Sequence, residues 1–156
     1  MITNVKGEFR KFEASIATEG DGFDHAKAKA SIDASSIFTN NEDRDNHLKS
    51  GDFFDAEKFP NLVFEGTAFE KVNGENYKLT GMLTIKDVRK EVTLDVEFGG
   101  IMKDPWGNEK AGFSLQGKIN RKDWGLNWNA ALEAGGVLVG DEVTIMAELQ
   151  FVKNAG

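Results

Sequence analysis

The segment Glu142-Val-Thr-Ile-Met-Ala-Glu-Leu-Gln-Phe-Val152 decides the fold of this chain. Its apolar side chains stand at every second position from Val143 to Phe151, and most of the positions between them are polar. A period of two indicates a β-strand with one face in the core and the other in water. The same alternation recurs along nearly the whole chain and predicts a meander of about seven antiparallel strands. The predicted fold class is therefore all-β, with one or two short helices.

A sheet of this kind has to hide its apolar face, and closing into a barrel is the simplest way to do so. A barrel of about eight strands can enclose one small ligand, which places the expected function in the interior. Three glycines interrupt the apolar track in mid-strand, at Gly66, Gly81 and Gly117. They fit bends in the sheet or places where a ligand approaches the backbone.

Composition narrows the possible functions. The 156 residues fit a single domain, residues 1–156, and the formal net charge of -7 argues against binding to nucleic acid. There is no cysteine, so thiolate chemistry and cysteine-ligated metals are excluded. No apolar run reaches the length of about 18 residues that a membrane helix requires, and the N-terminus shows no signal peptide. The sequence as given therefore predicts a cytoplasmic protein that is not integral to a membrane.

Residues 41–51 break the alternation and predict a short polar helix, capped by Asn40 or Asn41 and ended by Gly51. The helix carries the cluster Asp43-Arg44-Asp45-Asn46-His47. A carboxylate and an imidazole together suit acid–base chemistry or a metal. With only two histidines in the chain and no recognised metal spacing, a network that pins the helix to the barrel is favoured over catalysis.

Aromatic residues give two interpretations of the interior. The chain has twelve phenylalanines, and several lie in phase on the apolar face, where they could line a cavity or fill a dry core. Small inward residues favour the cavity. The residues predicted to line it are Phe12, Ile16, Ala30, Ile32, Phe38, Phe54, Phe64, Leu83, Phe98, Phe113, Leu115, Trp124 and Leu126.

The cluster from Arg121 to Leu126 follows a strand and combines basic and aromatic residues. It suits a polar head group at the barrel mouth, or a structural corner in which Arg121 caps backbone carbonyls, and the corner is favoured. One helical turn is predicted at residues 130–134, ahead of the last strand.

Two motifs are specific enough to indicate a family. Asn41-x-x-Arg44-Asp45-x-His47-Leu48 lies on the predicted helix, and Asn120-Arg121-x-Asp123-Trp124-Gly125-Leu126 follows a strand. With them, the chain resembles the YceI-like family of lipocalin-like, polyisoprenoid-binding proteins over nearly its whole length. Shorter matches are Ser36-Ile37-Phe38-Thr39, Phe53-Phe54-Asp55, Phe59-Pro60, Gly81-x-Leu83-Thr84-Ile85, Val88, Glu91-Val92-Thr93-Leu94, Gly112-Phe113, Ile119 and Val139-Gly140-Asp141-Glu142-Val143.

The resemblance implies an eight-stranded antiparallel barrel whose apolar interior holds a polyprenyl chain or a similar amphiphile. Family members have been linked to isoprenoid quinones, isoprenoid phosphates and fatty amides, and no catalysis is established for the fold. The polar residues of the family map onto Arg44, Asp45, His47 and Arg121, as head-group ligands or as a structural network. No cofactor is expected beyond the isoprenoid or other long-chain lipid.

Family chains usually open with one strand that this sequence lacks ahead of Met1. The expected barrel is therefore open at a seam with two unpaired edges, and a homodimer through this seam, or bulging that tightens it, is predicted. Since many family members carry a signal peptide before that strand, a truncated N-terminus would imply a periplasmic protein.

The leading hypothesis is thus a non-enzymatic carrier of a long apolar amphiphile, such as a polyisoprenoid, an isoprenoid quinone or a fatty-acid-type lipid. The first alternative is an enzyme that acts on a lipid head group through Asp45 and His47. The second is a dry structural barrel that acts through its acidic surface in stress or adhesion.

Overall fold

The structure is a computed structural model that describes residues 6–18, 26–126 and 141–152. Within these ranges the chain forms nine strands, which follow the alternation of apolar and polar residues, and one α-helix. Two short 3-10 helices, Ala34–Ser36 and Arg121–Trp124, complete the described elements. The others are β1 Glu8–Phe9, β2 Phe12–Ala17, β3 Lys27–Asp33, β4 Ile37–Phe38, α1 Glu42–Lys49, β5 Asn61–Asn73, β6 Asn76–Ile85, β7 Val88–Lys103, β8 Glu109–Asn120 and β9 Glu142–Val152.

Seven strands form one curled antiparallel sheet, a half-barrel in the order β2-β3-β5-β6-β7-β8-β9. Neighbours in the sheet are neighbours in the chain, apart from the short β4 and α1 between β3 and β5. The predicted all-β fold, with about seven antiparallel strands and a short helix, is confirmed. None of the helices in the described ranges is long and apolar enough to cross a membrane.

The sheet has two edges, β2 and β9, and neither strand has a second partner among the described residues. This matches the predicted seam. The homodimer through the seam stays a prediction.

The first two strands, β1 and β2, pair with different partners although only two residues separate them. Glu8 and Phe9 pair with Phe38 and Ile37 in a separate two-stranded sheet, whereas β2 pairs with β3. The break falls at Arg10, whose backbone N–H donates to Ser36 O at 3.1 Å and whose guanidinium lies 3.4 Å from the centre of the Phe38 ring. The alternation of residues shows which face of the sheet a side chain occupies, but it does not show which strand pairs with which. The change of pairing partner between β1 and β2 was therefore not predictable.

Helix α1 begins where its polar sequence predicts. Asn41 is the N-cap, and its side-chain oxygen accepts from Arg44 N at 3.0 Å. The helix ends at Lys49, with Ser50 and not Gly51 as the C-cap, because the Ser50 backbone N–H and hydroxyl both bond to His47 O. The helical turn predicted at residues 130–134 lies outside the described residues.

The two ends of the sheet differ. We call the end at which β6 turns into β7 the helix end, because the residues after α1 and the helix Arg121–Trp124 pack there against the core. At the opposite end β7 and β8 continue past β6, whose first residue Asn76 pairs with Glu97. We call this extension, residues 99–112, the arm.

Candidate ligand-binding site

The centre of the inner face is closely packed. Phe64 of β5 lies directly opposite Leu83 of β6, and Leu79 lies opposite Leu94 of β7. All four side chains are buried. Alternation along these central strands therefore produces a dry core at this position.

The mid-strand glycines serve this packing. A Cβ at Gly81 would stand 2.5 Å from both Cζ of Phe64 and the backbone oxygen of Glu65, so the Phe64 ring lies directly over the glycine. A Cβ at Gly117 would collide with Leu94 in the same way. The sequence analysis allowed a ligand to approach the backbone at these glycines. At Gly81 and Gly117 the protein's own side chains occupy that space.

The flanks of the inner face are looser than its centre. On β2 and β3 the inward positions hold Ala14 opposite Ala30, and on β8 and β9 they hold Leu115 opposite Ala147. These residues are only partly buried. Small side chains with remaining exposure leave volume over the outer strands that the described residues do not fill.

An aromatic cluster occupies the inner face beside the arm. It consists of Phe69, Tyr77, Phe98, Phe113 and Phe151. Phe69 stacks on Tyr77 with 4.8 Å between ring centroids, and Phe113 lies 5.2 Å from Phe98 and 5.8 Å from Phe151. Phe98 and Phe151 stay partly exposed. The cluster thus joins the packed centre to the open flank.

Most of the residues predicted to line the cavity lie against one core. The buried members are Phe64, Leu83, Phe113, Trp124 and Leu126, and the partly buried ones are Ile16, Ala30, Ile32, Phe54, Phe98 and Leu115.

Two predicted lining residues lie elsewhere. Phe38 belongs to β4, outside the main sheet, and its ring packs under the guanidinium of Arg10. Phe12 faces inward opposite Ile32 but is 51% exposed, because it is the first residue of an edge strand. Both placements follow from pairing partners that the sequence alone does not specify.

Two of the four predicted polar residues meet at Thr39, which sequence reasoning did not single out. Asp45 Oδ1 accepts from the Thr39 backbone N–H at 2.8 Å and from its hydroxyl at 2.5 Å. The Arg44 guanidinium donates to Thr39 Oγ1 at 2.9 Å and to Thr39 O at 2.7 Å. Asp45 and Thr39 are buried. This network fixes the start of α1 against the strand before it.

His47 hydrogen-bonds at a different place from Asp45. Its Nε2 lies 2.9 Å from Asp52 Oδ2, and the two side chains are 36% and 53% exposed. Its ring also makes an edge contact with Phe53, at 5.2 Å between centroids. The imidazole–carboxylate pair of this region is therefore His47 with Asp52, near the surface, and not His47 with Asp45.

Arg121 forms the corner at the end of β8. Its side chain is almost fully buried and donates to the carbonyl of Leu126, while its second terminal nitrogen lies 3.7 Å from Asp141. Gly125 takes the left-handed conformation (φ +79°) that lets the chain turn back over Arg121. Trp124 is buried below, with its indole N–H donating to Leu83 O at 2.9 Å. The geometry is that of a structural corner.

Sequence reasoning missed the exposed apolar residues of the arm. Ile101 and Met102 are each 60% exposed and Trp106 is 82% exposed. The alternation assigns these residues to faces, but it does not show that β6 ends before them. Across the described ranges, no three acidic or histidine side chains come together as metal ligands.

The sheet is curled and antiparallel, and the helix Arg121–Trp124 and the residues after α1 pack against its apolar inner face at one end. This architecture defines a lipocalin-like binding fold. The sequence matches the YceI-like domain family over residues 1–151, and the chain belongs to this family.

Relatives and solved structures agree with this family. A UPF0312 protein of Staphylococcus aureus strain N315 is 45% identical over 152 residues, which are 97% of this chain and 86% of the relative. The crystal structure of a Campylobacter jejuni YceI protein superposes with a TM-score of 0.87 at 36% identity, covering 99% of this chain and 88% of the other. Burkholderia cenocepacia BcnA gives a TM-score of 0.79 at 25% identity, with 93% and 86% covered.

Proposed function

We propose that the protein is a non-enzymatic carrier that holds a long apolar amphiphile against the inner face of its sheet. The observation that carries the proposal is the contrast between the packed centre and the half-exposed apolar flanks. A dry structural barrel would use its large side chains to fill the flanks as well. Here alanines occupy inward positions on both sides, at Ala30 and Ala147, while Phe12 and Phe151 keep exposed surface.

The cargo would lie over the outer strands and not over the centre, since Phe64 and Leu94 already occupy the glycine positions there. Burial supplies the affinity. At about 0.8 kcal/mol per buried CH₂, about ten methylenes contribute on the order of 8 kcal/mol, which corresponds to a Kd of roughly 1 μM. A polyisoprenoid, an isoprenoid quinone or a fatty-acid-type lipid has an apolar chain long enough, and few polar contacts are required.

The polar residues fit a scaffold better than a catalytic site. The guanidinium groups of Arg44 and Arg121 are hydrogen-bonded to Thr39 and Leu126, and Asp45 also bonds to Thr39. The fourth predicted residue, His47, lies near the surface and pairs with Asp52. A carrier predicts that His47→Ala keeps both its fold and its cargo.

The decisive experiment is organic extraction of protein purified without detergent, followed by mass spectrometry. A stoichiometric long-chain lipid is the expected result. An empty extract, together with no uptake of added polyprenyl lipid or fatty acid, would overturn the proposal.

A matched pair of variants on β3 tests the position of the cargo. Ala30→Trp fills the flank of the inner face, whereas Lys29→Trp places the same side chain on the outer face of the same strand. Ala30→Trp should lower lipid content at least about tenfold, since it displaces several methylenes, and Lys29→Trp should leave it unchanged. Equal lipid content in the two variants would place the cargo elsewhere.

A further inference from the structure

The arm exposes apolar side chains on both of its faces. On its inner face Ile101 lies opposite Ala111, which in turn lies opposite Phe151 of β9. On its outer face the corresponding row is Met102, Lys110 and Val152. These exposed side chains do not pack into the hydrophobic core. They mark a surface that meets an apolar environment.

The turn at the tip of the arm holds Trp106 outward. The Asp104 carboxylate accepts from the backbone N–H groups of Trp106 and Asn108, each at 2.9 Å, and from the Asn108 side-chain amide at 3.2 Å. Gly107 supplies the positive φ of +86° that this turn requires. Because the turn is ordered by its own hydrogen bonds, the 82% exposure of Trp106 is a built feature and not the result of a loose loop.

Charge distinguishes the arm from the rest of the molecule. The arm contains two lysines, Lys103 and Lys110, and two carboxylates, Asp104 and Glu109, so the formal charge of -7 belongs entirely to the remainder of the chain. Membrane surfaces of bacteria and other cells carry anionic lipids that repel an acidic protein. A neutral arm with a lysine on each side of the tryptophan turn is the part of the molecule that can approach such a surface.

The arm also leads into the cargo site. Ile101 and Ala111 continue the inner face directly from the aromatic cluster, where Phe113 lies 5.8 Å from Phe151 and 5.2 Å from Phe98. An apolar path therefore runs from Ile101 to the half-exposed flank of β8 and β9, and the pair of Lys103 and Glu109 lies between Ile101 and the tip.

We propose that the arm docks on the surface of a lipid bilayer, with Trp106 at the interface and Ile101 at the entrance through which a lipid chain passes to the inner face. This inference rests on the proposed carrier function. Tryptophan prefers the region between head groups and acyl chains, and the exposed Lys103 beside it can reach the phosphates while its stem stays in apolar surroundings. Lys110 instead pairs with Asp104 at 3.7 Å and neutralises the carboxylate of the turn. This combination favours a bilayer over a protein partner.

The test measures co-sedimentation with phosphatidylcholine vesicles and the tryptophan emission, in which the contribution of Trp106 is the part that Trp106→Ser removes. Wild-type protein should sediment with the vesicles, and its emission should shift to the blue. Trp106→Ser should bind at least about tenfold more weakly, because one large buried side chain contributes that much. Met146→Ser removes a side chain that is 75% exposed on the outer face of β9, away from the arm, and should bind as wild type does. Equal binding of Trp106→Ser and wild type, or no binding by wild type, would overturn the inference.

Two further measurements separate the possible failures. Uptake of a fluorescent polyene fatty acid added as monomers bypasses the membrane, so Trp106→Ser should take it up normally. If wild type fails this uptake, the carrier proposal fails; if it succeeds while vesicle binding is absent, only the docking inference fails. Sedimentation velocity without vesicles should show the same oligomeric state for both proteins, and a wild-type dimer that Trp106→Ser abolishes would instead assign the arm to a second copy of the chain.

Discussion

Two tryptophans at opposite ends of one sheet occupy opposite environments. At the helix end Trp124 is 2% exposed and its indole N–H is bonded to Leu83 O, whereas in the arm Trp106 is 82% exposed on a turn that directs it outward. The helix end also buries Asp45 and Arg121, each with hydrogen-bonded partners. The two most specific family motifs, on α1 and at Asn120–Leu126, lie at this closed end. Their buried, hydrogen-bonded side chains hold this end of the fold together, whereas the arm exposes apolar side chains.

Replacing each tryptophan by alanine tests this contrast most strongly. Trp124→Ala leaves a cavity and removes the indole donor to Leu83 O, and it should lower the free energy of unfolding by about 3–5 kcal/mol. Trp106→Ala should change it by less than about 0.5 kcal/mol, because the ring packs on little. Urea denaturation measures both values. Comparable losses in the two variants would show that the arm is packed as firmly as the helix end.

The next largest loss of stability is expected from substitution of Arg121, at the corner after β8. Arg121→Ala removes the donor to Leu126 O and the cation beside Asp141, and should cost about 3 kcal/mol of stability. Its neighbour Lys122 also reaches Asp141, at 3.4 Å, but is half exposed, so Lys122→Ala should cost less than about 1 kcal/mol. The same denaturation experiment measures both. If the two variants lost equal stability, the corner would depend on charge alone and not on burial.

The sequence predicted most strands of the main sheet, but it did not predict which residues pack together outside that sheet. The strand β9 follows from alternation alone, because that signal is local. The placement of Phe38 against Arg10 depends on the pairing of β1 with β4, which lie far apart in the chain. Similarly, the break in alternation and the capping asparagine predicted that Arg44 and Asp45 share one helix, but their common partner Thr39 became evident only in the structure.

A third prediction concerns Asp45. Asp45→Ala leaves the Thr39 backbone N–H and hydroxyl without their acceptor in a buried place, and should lower stability by about 2 kcal/mol. Asp43, on the exposed side of the first turn of α1, contributes only its interaction with the helix dipole, so Asp43→Ala should lose about 0.5 kcal/mol. Thermal unfolding followed by circular dichroism compares them. Lipid content should be unchanged in both variants, and its loss in Asp45→Ala with the fold intact would give this carboxylate a direct role in binding.

The smallest effect compares one carboxylate at each end. Hydrogen bonds from the Ser35 hydroxyl and backbone N–H hold the pKa of Asp33 below its ordinary value of 3.8, and the Asn108 backbone N–H does the same for the pKa of Asp104. A lowered folded-state pKa gives stability that is complete above the unfolded value and is lost as the pH falls through the folded value. Both turns should therefore loosen only in acid below pH 3.8. NMR titration of the carboxyl carbons measures this, and a midpoint at or above the ordinary value would contradict it.

The order of strands in the sheet has a consequence for how the chain acquires its structure. Each strand from β5 to β8 pairs with the strand that precedes or follows it, and β6 joins both β5 and β7 through turns of only two residues, 74–75 and 86–87. Closing such short loops costs little chain entropy, so we expect β5, β6 and β7 to assemble first and the other strands to add outward on both sides. Backbone amides should then exchange with deuterium most slowly in β5, β6 and β7 and fastest in β2 and β9, where assembly ends.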